Sequence, residues 1–294
     1  MQVCVIGGLN MDITGTPFGQ LCLRDSNMGA VRVTPGGVGR NIAENLARMG
    51  FAVELIAPLG QDGYADMHRT YCAAAGIGLT HAPVLPQASG TYFCLMDGQG
   101  DMYAAINDMS ICDALTPDMI DMQAANAADA IVLDTNLPQA VISHVVRAAK
   151  PPLFADPVSA AKARKLVPAL HKLHGLKPNV LEAQALTGQS GPEAAALALR
   201  ALGVRRVFVS VGAQGMFVCD YGARDVMHLP ATAHGAICNA TGAGDSAAAA
   251  IVAGSLLGFD ALQTARLACE VSALTLASEG AVSPLLSPAI LAQP

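Results

Sequence analysis

Short apolar runs of β type alternate with longer runs of helical period along most of these 294 residues, and that alternation constrains the fold more than any other feature. Strand signals fall at residues 3–7, 53–59, 130–134, 153–156, 207–211 and 216–220. Helical signals fall at 40–49, 64–75, 137–149, 192–202, 244–257 and 262–276. A strand that runs through a helix into the next strand of the same sheet pairs with it in parallel, because the crossover returns the chain to the same end. The expected fold is therefore a doubly wound, mainly parallel α/β sheet with helices on both faces. Composition agrees, since 52% hydrophobic and only 14% charged residues suit strands buried on both sides.

Two segments break the alternation. Residues 12–35 mix polar and apolar positions with turn residues, and 89–109 read as a hairpin around Gly98-Gln99-Gly100. Inserted early in such a fold, these strands are expected to form a small β-sheet lid over the ligand edge. The same exposed strands could join two copies as a homodimer. No repeat, low-complexity stretch or linker divides the chain, so 1–294 reads as a single domain with lid strands at about 12–35 and 89–109.

A formal charge of −6 and the absence of a Lys/Arg run argue against a nucleic-acid face. The eight cysteines contain no C-x-x-C pair and read as reduced core residues of a cytoplasmic protein. The amino terminus reads as a first strand, not a signal peptide, and no apolar run is long enough for a membrane span.

Residues 239–245, Asn-Ala-Thr-Gly-Ala-Gly-Asp, lead straight into Ser246 and four alanines. Small residues ahead of a helix leave its first N–H groups pointing outward, with the positive end of the dipole behind them: a receptor for phosphate or a developing oxyanion. Glycines at 242 and 244 remove Cβ atoms that would hold a phosphate off the backbone. The Asp245 carboxylate would repel that ligand unless its task is to accept a proton from a hydroxyl attacking phosphorus. Taken alone, the stretch also describes an ordinary helix start with an acidic first turn.

Three further segments carry candidate chemistry. Gly7 to Asp12 delivers Asn10 and Asp12 to the ligand edge, suited to vicinal hydroxyls or to a simple Asx turn. Pro35 to Asn41 has G-G-x-G spacing and is no dinucleotide fingerprint; it suits close approach of a sugar ring, or a Gly-rich helix entry. Asn179 and Glu182 lie three apart at a helix start, where Glu182 could hold Mg²⁺ through water or merely complete a capping box. P-loop, H-E-x-x-H and G-x-S-x-G motifs are missing. His171 and His174, at helical spacing, read as ordinary surface residues, and the twelve methionines as core filling.

In this order the segments resemble the ribokinase/PfkB carbohydrate kinase family. Its pattern is an early G-x-N-x-D (8–12), a G-G-x-x-x-N ending at Asn41, a central N-x-x-E (179–182), a V-x-x-G-x-x-G (209–215) and a late G-A-G-D (242–245). The resemblance covers nearly the whole chain. It implies a Rossmann-like core with a β lid, ATP as phosphoryl donor and Mg²⁺. Asp245 matches the catalytic base, and Gly242, Ala243 and Gly244 match the anion hole. Asn179 and Glu182 match the phosphate/Mg²⁺ motif. Ser210, Gly212 and Gly215 match the nucleotide turn, and Thr241 counts with them among the cofactor-binding residues. Asn10, Asp12, Gly37, Gly39 and Asn41 match the sugar contacts.

Within the family, 105–109, 115–117 and 156–162 are similar to the branch that phosphorylates the nucleoside pseudouridine on its 5′-hydroxyl. There Asn107 would offer its amide to a uracil edge, Thr91 would lie on the opposing lid strand, and Lys162 would approach a phosphate or polar substrate group. Asn107 also reads as a plain lid asparagine, and Lys162 as a solvated helix lysine. Other expectations remain open: a kinase for ribose, fructose or adenosine, or a non-catalytic nucleoside-binding sensor. Many relatives carry Asp where this chain has Asn239, near a monovalent-cation loop, which weakens the case for K⁺ without removing it.

Overall fold

A computed structural model describes residues 1–223, 225–232 and 236–292. The strands, numbered in chain order, are β1 (Gln2–Ile6), β2 (Asn10–Pro17), β3 (Gly29–Gly36), β4 (Ala52–Ile56), β5 (Ile77–Gly78), β6 (Gly90–Met96), β7 (Met102–Asp108), β8 (Ala130–Asp134), β9 (Leu153–Asp156), β10 (Leu173–Leu176), β11 (Arg206–Ser210), β12 (Met216–Cys219) and β13 (Met227–Leu229). Nine of them form one sheet in the order β13-β12-β11-β10-β9-β8-β1-β4-β5. From β5 to β11 every pairing is parallel, and β12 and β13 add antiparallel edges.

The alternating pleat divides the core between the two faces of this sheet. Val3, Val5 and Val132 pack with the helices Val38–Arg48, Ala243–Leu256 and Ala261–Leu276. Cys4, Ile6, Ile131 and Leu133 pack with Gln139–Ala148, Val180–Thr187 and Pro192–Ala201 on the other side. Six of the eight cysteines are buried free thiols, and Cys22 and Cys238 are exposed. No helix among the described residues is long and apolar enough to cross a membrane.

β1 lies between β4 and β8, so the chain winds away from it in both directions. That reversal opens a crevice at the carboxyl ends of the strands, where doubly wound sheets take their ligands. The segment after β1, the acidic ends of β8 and β9 and the residues after β10 all reach this edge.

β2, β3, β6 and β7 build a separate sheet in the order β3-β2-β6-β7. The 12–35 and 89–109 segments thus supply its four strands, with β2 beginning two residues earlier at Asn10. Register puts Thr34, Asp12, Tyr92 and Asn107 in one row across it, and Arg32, Thr14, Cys94 and Ala105 in another row on the same face. Arg32 reaches Glu279 at 3.4 Å, which turns that face toward the segment that follows the helix Ala261–Leu276. The opposite face carries Val33, Ile13, Phe93 and Ile106 in register.

One central strand gives little sequence signal. β10 is Leu-His-Gly-Leu, and its glycine answers to packing: a Cβ on Gly175 would stand 2.5 Å from the Phe154 ring. His174 lies in this strand, tilted against Phe154, while His171 lies in the last turn of the 3₁₀ stretch Arg164–Lys172, so the two share no helix face.

Candidate active site

The crevice floor is acidic by construction. Asp134 and Asp156 end adjacent strands in register. Asp134 is buried, which pushes its carboxyl above the usual range, and it accepts from the Gly8 N–H and the Asn136 N–H at 2.7 and 2.8 Å. A Cβ on Gly7 would collide with that carboxylate. Asp156 Oδ1 accepts from the Val158 N–H at 2.8 Å, while its buried Oδ2 has no hydrogen-bond partner among the described residues. Val158 has φ 62°, a strained conformation for a β-branched residue, in the turn that leaves this carboxylate.

Above the floor starts the helix Ala243–Leu256. Gly242 takes φ 83° at its N-cap, and a Cβ there would collide with the Ala281 carbonyl. No side chain caps this helix, so its first-turn amides have no side-chain acceptor. Half-buried Asp245 sits in that turn, and its Oδ2 accepts from Asn41 Nδ2 at 2.6 Å across 204 positions of sequence. Burial pushes the Asp245 carboxyl up to about 7; Asp156 and Asp134 add to the rise, and Asn41 and Lys177 oppose it. A carboxylate tuned near neutrality at the mouth of an amide cradle has the properties of a general base.

On the lid side, Asn10 donates from Nδ2 to Asp12 Oδ1 at 2.6 Å, and a Cβ on Gly36 would overlap the Asp12 carboxylate. Burial raises the Asp12 pKa. The missing Cβ atoms of Gly37 and Gly39 make room for the backbone of Gly7–Leu9, which brings the 38–48 helix and Asn41 close to the end of β1. Asn107 is exposed and stands in register with Tyr92 and Asp12. Thr91, paired with Met11 and Asp108, leaves the lid from the other face. Lys162 donates to Asn136 Oδ1 at 2.6 Å, and Asn136 in turn lies against Gly8.

Beyond the cradle, Asn179 and Glu182 form a full capping box. Both oxygens of the buried Glu182 carboxylate accept from Asn179, each at 2.9 Å. No cluster of three His, Cys, Asp or Glu side chains that could hold a metal gathers among the described residues. A hard divalent cation suits this donor set only through water and through oxygens of its own ligand, which is the habit of Mg²⁺. Beside the box opens a cavity of about 470 Å³, lined by Asn179, Val180, Leu181, Pro192, Ser210 and Gly212 together with Val211 and Gln214. This volume lies within the range of small-ligand sites. Gly215 stands outside the lining: at φ 97° it lets the chain pass the Leu229 carbonyl. Thr241 is exposed, and its N–H donates to Asn239 Oδ1 at 2.9 Å.

The structure thus joins Asn41 to Asp245, Asn10 to Asp12 and Asn179 to Glu182. Four residues escaped the sequence reading of the site: Tyr92, Asn136, Asp156 as an unpartnered acid, and Lys177. Lys177 carried a local sign, a basic residue directly ahead of the Pro178-Asn179 cap, and Asp156 heads the 156–162 segment.

Residues 1–288 match the family model described as pfkB family carbohydrate kinase. The pseudouridine kinase of Escherichia coli (strain K12) is 34% identical over 97% of this chain and 93% of its own length. Among solved structures, a carbohydrate kinase from Agrobacterium tumefaciens superposes with a TM-score of 0.87, at 29% identity, covering 99% of this chain and 96% of that one. A ribokinase from Thermotoga maritima shares the fold, with a TM-score of 0.87 at 22% identity over 99% of both chains.

Proposed function

The chain belongs to the pfkB carbohydrate kinase family, and from that premise we propose that it transfers the γ-phosphoryl group of ATP to the 5′-hydroxyl of pseudouridine. The Asn41–Asp245 pair carries this reading, because it holds a carboxylate of raised pKa against a free amide cradle. Asp245 accepts the hydroxyl proton as the oxygen attacks phosphorus. The Gly242–Gly244 amides receive the charge that spreads over the phosphoryl oxygens. Glu182, with Asn179 fixing its orientation, would hold Mg²⁺, which when bound would screen the phosphate charges. The adenosine part fits the 470 Å³ cavity at Ser210 and Gly212.

Asn10 and Asp12 take the ribose hydroxyls, and the lid row extends to Asn107 for the base. Similarity to the Escherichia coli enzyme supports pseudouridine over other acceptors. Lys162, held on Asn136, faces the substrate from the strand side. Residues 1–294 work as one domain whose lid closes to exclude water. Its outward row of Val33, Ile13, Phe93 and Ile106 meets the same row of a second copy in a homodimer. The buried thiols suit a reducing compartment, the cytoplasm.

An acceptor panel tests the reading: ADP release is followed with pseudouridine, uridine, adenosine, ribose and fructose at saturating ATP and Mg²⁺. The highest kcat/KM is expected for pseudouridine. A faster sugar overturns the substrate while leaving the chemistry, and no ADP from any acceptor points instead to a nucleoside-binding sensor.

A further inference from the structure

Lys177 follows β10 and ends in the acidic floor with only 6% of its surface exposed. Its Nζ lies 3.6 Å from Asp156 Oδ2, beyond hydrogen-bond length, and makes no hydrogen bond to the described residues. The same atom stands 3.2 Å from where a Cβ on Gly244 would be, so the ammonium looks into the amide cradle, and glycine at 244 leaves that approach clear. Asp156, Glu182 and Asp245 hold Lys177 protonated despite its burial. Burying an ammonium is costly, and an apolar side chain of similar volume commonly replaces a buried ion pair without loss of stability. A fold that needed only filling here would not require a lysine. Conversely, a phosphate chain entering among three carboxylates needs a cation on the protein side, and a net charge of −6 supplies none at long range.

We propose that Lys177 is a catalytic residue whose ammonium donates to an oxygen of the transferred phosphoryl group at the Gly242–Gly244 cradle, with Asp156 as its positioning residue. The proposal rests on the phosphotransferase reading. As the acceptor oxygen bonds to phosphorus, the bond to the bridging oxygen breaks and its electron pair leaves with ADP. The hydroxyl proton goes to Asp245, and Lys177 stays protonated throughout.

Two variants test it: Lys177→Met, and Asp156→Asn/Lys177→Met, which removes both members of the ion pair and keeps the floor balanced if the single variant folds poorly. Each is titrated calorimetrically with Mg²⁺ and either the β,γ-imido analogue of ATP or ADP, and each is assayed for turnover. The analogue should bind at least about 10-fold more weakly with ADP held within about 2-fold, and kcat should fall about 100-fold, the scale of losing one donor to a developing oxyanion. Equal weakening of both nucleotides, no weakening of either, or recovery of kcat in the double variant would reduce Lys177 to a counter-charge for Asp156. If the wild type turns over no acceptor, the kinase reading fails, yet the two nucleotide titrations still decide what Lys177 faces.

Discussion

The cradle and the lid meet at one cleft but are built differently. Around Asp245 the polar groups are fixed by short bonds between distant segments: Asn41 to Asp245 at 2.6 Å and Asp134 to Gly8 at 2.7 Å. On the lid, the residues facing the cleft are set by strand register, and Asn107 at the outer strand is exposed. The only ion pair from the lid to the body, among the described residues, is the largely exposed Arg32–Glu279, which contributes little in water. Under the proposed reading, a fixed frame for the reacting atoms beside a separate sheet for recognition suits an enzyme that must admit a substrate and then exclude water.

The most severe way to break this contrast is Asp245→Asn. It keeps the shape of the cradle and removes the proton acceptor, so kcat should fall by roughly 10³-fold or more while nucleoside binding, read by calorimetry, changes little. Stability moves the other way. A carboxyl whose folded pKa is raised to about 7 contributes stability below its unfolded pKa and loses it as pH rises through the folded one. The Asn variant should therefore melt above the wild type by a margin that widens from about pH 4 to 7 and is then flat. A constant margin would mean that Asp245 titrates normally.

The lid answers differently. Asn107→Ala should leave kcat for adenosine or ribose within about 2-fold and lower the preference for pseudouridine over uridine roughly 10-fold, the scale of one lost hydrogen bond to a base. Unchanged preference would assign base reading to Tyr92, its neighbour in the row. Intermediate in effect is Asp156→Asn. Asp156 raises the Asp245 pKa, so its removal should shift the acid limb of the kcat/KM profile to lower pH, where an unmoved limb would separate the two carboxylates.

What was legible in the sequence divides along the same line. The parallel sheet was readable because strands such as Ala130–Asp134 are wholly apolar up to their last residue, a signal that needs no partner. The cradle was readable because its glycines, cap and acid are contiguous from 242 to 245. The lid was readable as strands but not as faces, since a face depends on register and one residue's shift reverses it; Thr91 and Tyr92 differ by that single step. Lys177 and Asp156 become a pair only when β9 and β10 lie side by side, and β10 carries a glycine for Phe154's sake that weakens its own signal.

The smallest expected effect concerns monovalent cations. Asn239 donates from Nδ2 to the Glu279 carbonyl at 2.9 Å and accepts from the Thr241 N–H at 2.9 Å. Its amide thus fastens the loop ahead of the cradle with neutral bonds, where a carboxylate facing the same carbonyl would need a cation between them. Turnover in K⁺, Na⁺ or choline chloride at equal ionic strength should agree within about 2-fold, and Asn239→Asp should introduce a dependence on K⁺ that the native chain lacks. A native enzyme that K⁺ activates strongly would mean that the amide bond opens to admit an ion, and the loop before Gly242 would then belong with the adaptable lid instead of the fixed cradle.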